Sequence, residues 1–260
     1  MSVTAFLTDS TLCIGCKACE VACKEWNQIP SDGFEWSGLS YDNTGALGAS
    51  TWRHVKFVET PPEVGIGGNA AEKLPSWGFS SDVCKHCENA GCLEACPTGS
   101  IVRTEFGGVY IQPDICNGCS YCVVACPFGV VAKRKEDGRA FKCTFCYDRQ
   151  LAGLKPACAK ACPTESIKFG ELDEMRLVAQ ERMKELESRG IEDATVYDPI
   201  DTSVGGIHAL FVLRGDPRSY NLPPKPEIPT VYASTGWKSS ALAAGLVLAG
   251  SLLAFLGGGR

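Results

Sequence analysis

Sixteen cysteines, falling into four complete groups of four, limit what this 260-residue chain can become more than any other feature of it. The groups are Cys13, Cys16, Cys19 and Cys23; Cys84, Cys87, Cys92 and Cys96; Cys116, Cys119, Cys122 and Cys126; and Cys143, Cys146, Cys158 and Cys162. None is left over. Disulfides suit small secreted domains, whereas this chain is long and residues 1–10 hold neither a basic leader nor an apolar run of signal-peptide length. Structural zinc ribbons use two separated C-x2-C pairs per metal and have no need of the third cysteine in C-x2-C-x2-C. A redox-active dithiol accounts for one C-x2-C pair, not for four groups.

The first and third groups read C-x2-C-x2-C-x3-C, the run that wraps a cubane 4Fe-4S cluster in bacterial ferredoxins. Three thiolates on one tight loop reach three iron corners. The fourth cysteine is expected to start a helix that points away, and so to ligate a second cluster. Proline follows the fourth cysteine at Pro97, Pro127 and Pro163, while Lys24 holds that place in the first group. Gly15, Ala18, Gly91, Gly118 and Ala125 are small, which leaves room for a bulky inorganic core. The cofactors implied are four 4Fe-4S clusters.

Pairing then sets the organisation. The second and third groups begin 32 residues apart and make one two-cluster unit, which leaves the first group to pair with the fourth. The expected fold is α+β, with two nested ferredoxin-like units, the second inserted in the first. Residues 1–74 and 141–170 would form the outer unit and 75–140 the inner one. Exchange of fourth cysteines, the ferredoxin rule, gives four ligand sets. The first is Cys13, Cys16, Cys19 and Cys162, and the second is Cys23, Cys143, Cys146 and Cys158. The third is Cys84, Cys87, Cys92 and Cys126, and the fourth is Cys96, Cys116, Cys119 and Cys122.

Between the ligand groups the signals are local. Turns are expected around 42–50, and a strand over 52–59 with Val55 and Phe57 on one face and His54 and Lys56 on the other. Gly65 to Ala70 match a dinucleotide G-x-G-x-x-A, but they follow Pro61 and Pro62 instead of a strand, and Pro75 blocks a helix, so they read as a loop. Lys133, Arg134 and Lys135, beside Glu136 and Asp137, read as a solvated turn. The three histidines, His54, His86 and His208, are scattered; for His86, between two cysteines, tuning of a cluster and plain packing are both open.

Beyond Cys162, residues 171–236 provide packing. Leu172, Met175, Ala179, Met183 and Leu186 recur at helical spacing until Gly190. Residues 206–213 read as a buried strand, and Pro223, Pro224, Pro226 and Pro229 as an extended strap. The final segment, 237–260, reads as a single transmembrane helix. Its uncharged core, 239–259, lies between Trp237 and Lys238 on one side and Arg260 on the other. At ~1.5 Å per residue such a stretch spans roughly 30 Å, the hydrocarbon thickness of a bilayer. Its eight Leu, Val and Phe residues favour insertion by roughly 2–5 kcal/mol together. Ala241, Gly245 and Ala249 form a small-residue stripe suited to packing on another membrane helix. A formal net charge of −5 counts against a nucleic-acid partner.

The motifs CIGCKACEVACKEWN (13–27), YDN (41–43), CKHCENAGCLEACP (84–97), CNGCSYCVVACPF (116–128) and FKCTFCYDR (141–149) resemble the iron–sulfur (beta) subunits of membrane-bound respiratory formate dehydrogenases. PACAKACPTESIKFG (156–170) and VGGIHALFVL (204–213) extend the resemblance beyond the ligand loops. Nitrate reductase subunits are similar but carry Trp at a third-group position where this chain has Cys119. Equivalent four-cluster subunits of membrane-bound uptake hydrogenases, or of another molybdopterin oxidoreductase, are the alternative. The resemblance implies an electron-transfer subunit, not a catalyst. Its partners would be a large subunit with a molybdenum or tungsten bis-pterin site and a membrane cytochrome b (gamma) subunit. It further implies a single pass through the cytoplasmic (inner) membrane, with the globular part on the periplasmic side.

Overall fold

The computed structural model describes residues 2–33, 36, 38, 41–60 and 76–257. In chain order its first half runs β1 (Thr4–Asp9), α1 (Ala18–Asn27), β2 (Arg53–Thr60), β3 (Ser76–Val83), α2 (Gly91–Glu94), β4 (Ile101–Arg103), β5 (Val109–Ile111) and α3 (Tyr121–Val124). There follow β6 (Ala132–Lys133), β7 (Ala140–Phe141), α4 (Tyr147–Leu151), α5 (Ala157–Ala161), β8 (Ile167–Glu171), α6 (Leu172–Ser188), β9 (Ala194–Tyr197), β10 (Ala209–Arg214) and α7 (Ala233–Gly257).

Chain segments remote in sequence meet in one four-stranded sheet of order β8-β1-β10-β9. β1 runs antiparallel to β8 and parallel to β10, and β10 runs antiparallel to β9. Both inner strands are buried along nearly their whole length, as their apolar content demands. One face is covered by α6 through buried Met175, Ala179 and Leu186. Asp173 and Glu174 in its first turn complement the helix dipole. Its end is a Schellman cap, with the Ile191 N–H on the Leu186 carbonyl, the Gly190 N–H on the Glu187 carbonyl, and Gly190 at φ +75°. Arg182 fastens the helix to β1 and the loop after it, reaching Asp9 and Thr11 at 2.8 Å each. On the opposite face Phe6 meets Phe145 and Phe169, with ring centroids 5.1 and 5.2 Å apart.

This core already contains Cys19, Cys23, Cys84, Cys143 and Cys158. A second, smaller core gathers around the β4–β5 hairpin, with Ile101, Val109 and Ile111 against Cys92 and Cys122. β2 and β3 form a long antiparallel ladder beside the first core.

Several expectations are corrected. His54, read as one of three scattered histidines, is buried and meets Asp42 at 2.8 Å. The buried strand begins at Ala209, not 206, since Gly205 and Gly206 take positive φ values of +68° and +108°. Lys133 and Lys135 are solvated, but the Arg134 guanidinium lies over the Phe141 ring at 3.7 Å. Gly65 to Ala70, Pro75 and Arg260 lie outside the described residues.

α7 is longer than the expected span, starting at Ala233, and its 25 residues extend about 37 Å. By length and composition it can cross a membrane. Its large apolar side chains are all exposed, from Leu252 at 61% to Phe255 at 86%, so it lends nothing to either core. Truncation after Trp237 should therefore leave the thermal unfolding midpoint of the globular part unchanged while removing its need for detergent. Calorimetry and sedimentation of the two forms check this; a lowered midpoint would show that α7 packs on the rest.

Candidate metal centres

In every group the third and fourth cysteines are four residues apart, and a helix joins them. Cys19 and Cys23 both lie in α1; Cys92, Cys122 and Cys158 lie in α2, α3 and α5, with Cys96, Cys126 and Cys162 just past the helix ends. The fourth cysteine thus follows a helix in three groups and lies within one in the first; it starts none. An i, i+4 pair shares one face and is separated by about 6 Å along the axis. α1 packs on α5, and α2 packs on α3. The two ends of each helix accordingly face different loops.

The result is four mixed sets. Cys13, Cys16, Cys19 and Cys162 line one cavity with about 290 Å³ of empty space, partly open to solvent. Cys96, Cys116, Cys119 and Cys122 line a second of about 290 Å³, and Cys84, Cys87, Cys92 and Cys126 a third of about 310 Å³. Cys23 lies among Cys143, Cys158 and Cys146, the thiols whose charges act on it most strongly. Among the described residues no group of three or more Cys, His, Asp or Glu converges on a point that would hold a single ion. A lone zinc would need its sulfurs within about 2.3 Å of one centre. The thiols instead stand around a shared space, the arrangement a polynuclear core requires.

The small residues of the loops serve the protein packing around them. At Gly118, φ +71°, an added Cβ would lie 2.4 Å from the Gly138 carbonyl oxygen. At Gly91 it would lie 2.6 Å from the Ala125 carbonyl oxygen, so this glycine lets α2 and α3 touch.

Neighbouring sets are themselves in contact electrostatically. Cys19 of the first set feels Cys158 of the second, Cys143 of the second feels Cys84 of the third, and Cys92 of the third feels Cys122 of the fourth. The sets are therefore strung in order, with exposed Cys16 in the first and exposed Cys119 in the last. Burial pushes the Cys19, Cys122 and Cys146 thiols up to about 11 and Cys92 to about 12, and raises Cys23, Cys87 and Cys143 as well. At Cys96 burial is outweighed by hydrogen bonds from Ser100 and Thr98, which bring the thiol down to about 7. Thiols held protonated in this way must give up their protons to a metal, so metal uptake and proton release are coupled.

Three buried cations lie along this series, and sequence reasoning missed all of them. Arg53, Lys85 and Lys142 are each 1–3% exposed. Lys142 donates to the Val109 carbonyl and, at 3.2 Å, to that of Cys143. Burial works against its charge, but the nearby thiols of Cys84, Cys92 and Cys143 outweigh this and hold its pKa above the ordinary lysine value. Lys85 pairs with Asp82 and the Val83 carbonyl. The available signal was a lysine adjoining a cysteine in both CKH (84–86) and FKC (141–143), set against the usual preference of lysine for solvent.

His86 is buried against Phe145, centroids 4.4 Å apart, and its Nδ1 accepts the Val109 N–H at 3.0 Å. Burial, reinforced by Lys142, lowers its pKa well below the usual histidine value. His54 pairs with Asp42 at 2.8 Å, and His208 lies between the Gly107 carbonyl and Glu88. The three imidazoles form no joint site.

Residues 75–172 and residues 12–100 each match a 4Fe-4S dicluster domain. The chain is 42% identical over 257 residues to the iron-sulfur subunit of the nitrate-inducible formate dehydrogenase of Escherichia coli, covering 97% of this chain and 82% of that one. It is 43% identical to the formate dehydrogenase iron-sulfur subunit of Haemophilus influenzae, covering 86% and 70%. The electron transfer subunit of thiosulfate reductase from Salmonella typhi is 41% identical, covering 66% and 77%.

Gly118→Ala should force the Cys116–Cys119 loop away from Gly138, because the obstructing atom is backbone and cannot swing aside. The expected outcome is loss of iron from the set containing Cys116, Cys119 and Cys122, with the other sets retained, read by iron analysis and electron paramagnetic resonance. Full iron content would show that the loop tolerates a left-handed alanine there.

Proposed function

The chain belongs to the family of formate dehydrogenase iron–sulfur subunits, and from that premise we propose that it is the electron-transfer subunit of a membrane-bound formate dehydrogenase. The observation carrying this reading is the ordered series of four thiol sets between exposed Cys16 and exposed Cys119. Bound 4Fe-4S clusters would supply one-electron carriers. This chain's own residues hold them in sequence, exclude water from the middle of the series and balance its negative charge with buried cations.

The ligand sets we assign are the crossed ones. Cys13, Cys16, Cys19 and Cys162 hold the first cluster; Cys23, Cys143, Cys146 and Cys158 the second; Cys84, Cys87, Cys92 and Cys126 the third; Cys96, Cys116, Cys119 and Cys122 the fourth. The inner unit, 75–140, is inserted in the outer unit, 1–74 and 141–170. Packing of α1 on α5 and of α2 on α3 supports that nesting.

Each end of the series offers an apolar docking edge. Ile14 and Val21 are exposed beside the first set, and Ile115, Tyr121 and Val124 beside the fourth. We assign the first edge to a molybdenum- or tungsten-pterin catalytic subunit. The fourth is assigned to a membrane cytochrome b, which passes electrons to quinone. The root of α7 supports this direction: buried Ile228 lies against α2, and Thr230 hydrogen-bonds Glu94 of that same helix. The membrane anchor therefore leaves the molecule beside the helix that carries Cys92 and joins it to Cys96. α7 would be a single pass through the inner membrane, with the globular part on its periplasmic face.

Purification of the tagged chain from native membranes tests the assignment. The expected complex contains a pterin-bearing large subunit and about sixteen iron and sixteen labile sulfide per copy of this chain. Formate should reduce its cluster signals. A nickel-containing partner and reduction by hydrogen would replace formate dehydrogenase with an uptake hydrogenase; a plateau at half that iron, or stoichiometric zinc, would remove the four-cluster reading.

Crossed ligation has its own test. Cys23→Ser should damage the cluster held by Cys143, Cys146 and Cys158, more than 100 residues away in sequence, and spare the one on its own loop. Serine's protonated hydroxyl is a poor ligand for this soft site. If Cys23→Ser gives the spectrum of Cys13→Ser, ligation is local and the nested arrangement is wrong.

A further inference from the structure

Arg53, the first residue of β2, is 1% exposed, and among the described residues none of its three guanidinium nitrogens has a hydrogen-bond partner. No described carboxylate pairs with it. Its guanidinium carbon lies 4.9 Å from the centroid of the Phe6 ring, which shields one face from water. The other two buried cations of the region are satisfied, Lys85 by Asp82 and Lys142 by backbone carbonyls. Arg53 alone of the three carries five N–H donors and a permanent charge with no protein acceptor to receive them.

An unpaired buried cation is among the costliest things a core can contain, and arginine cannot escape the cost by losing its proton. Its position must therefore be stabilised by negative charge from another source. The groups whose charges act on it are Cys158, Cys19, Cys143 and Cys23. Cys19 belongs to the first thiol set and the other three to the second, so the guanidinium sits at the junction of the two. The planar fork of donors is suited to bridging acceptors on both sides.

We propose that Arg53 is the shared counter-cation of the first and second clusters, donating N–H···S hydrogen bonds to sulfurs of both and raising both reduction potentials. This rests on the four-cluster reading. Hydrogen bonds to cluster sulfurs and local charge are among the factors that set such potentials, and a fixed cation favours the form carrying the extra electron. Because arginine stays charged at all working pH values, its contribution does not vary with pH. Acting through both clusters, Arg53 is a positioning residue for electron transfer and not a catalytic one.

The test is a redox titration of the intact purified complex, monitored by electron paramagnetic resonance, for wild type, Arg53→Met and Arg53→Lys. Cys13→Ser and Cys143→Ser identify the first and second cluster signals. In Arg53→Met these two should become harder to reduce by at least tenfold in the reduction equilibrium, which is 59 mV for one electron. The third and fourth signals should move by less than twofold. Arg53→Lys, which keeps the charge, should recover much of the shift. Unchanged potentials in a fully loaded Arg53→Met complex would overturn the proposal, as would an equal shift of all four signals, or a Lys variant no different from Met. If Arg53→Met fails to load, iron analysis decides: loss confined to the first two clusters and restored in Arg53→Lys upholds the counter-cation role. Loss that Lys does not restore overturns it. A wild-type complex short of about sixteen iron would remove the premise itself, and that is read before any potential is measured.

Discussion

The separation of four residues between the third and fourth cysteine of every group is the constraint on which the rest of this molecule turns. A helix across that interval puts the two thiols on one face but about 6 Å apart along the axis. The cavities place the third and fourth thiols of a group apart, Cys92 beside Cys126 and Cys122 beside Cys96, and α2 and α3 lie against each other between them. α1 likewise packs on α5, and the tight Gly91–Ala125 approach shows how closely α2 and α3 are drawn together. β1 and β8 form an antiparallel ladder that joins the start of the chain to the segment just after Cys162. α6 then seals the sheet from outside.

Crowding thiols in a core has an electrostatic consequence. Burial raises most of the central thiols, and mutual repulsion adds to it, so the sets resist carrying negative charge unless cations share the space. Arg53 lies at the first junction, Lys142 near the second, and Lys85 against the third set, beside Cys126 and the Phe128 ring. The cations interleave with the sulfur series as counterions do in a salt. The two ends differ in kind, because Cys16 and Cys119 there are exposed to solvent.

The parts without thiols are subordinate to this spine. The strap after Leu222 crosses to α2 and ends in a 3-10 turn at Pro229–Tyr232, from which α7 departs with its apolar surface uncovered. This helix contributes nothing to the cores, and its root lies beside α2, the helix that joins Cys92 to Cys96.

Much of this was legible in the residues because cysteine spacing is a covalent fact that packing cannot override. The four groups and the apolar C-terminal span follow from intervals along the chain, and each of three cavities is lined by thiols from two of those groups. The helical spacing of Met175, Ala179 and Leu186 likewise survives, since an amphipathic period names its own buried face. What lay beyond the sequence was charge placement. Nothing along the chain singled out Arg53, Lys85 or Lys142, and His54 stood only on one face of a strand, yet all four are buried. No local rule predicts a buried cation, because its burial is favourable only after segments more than a hundred residues apart have brought sulfurs around it. Periodicity reports which face of an element is apolar; only the assembled fold decides where a charge finds its partner.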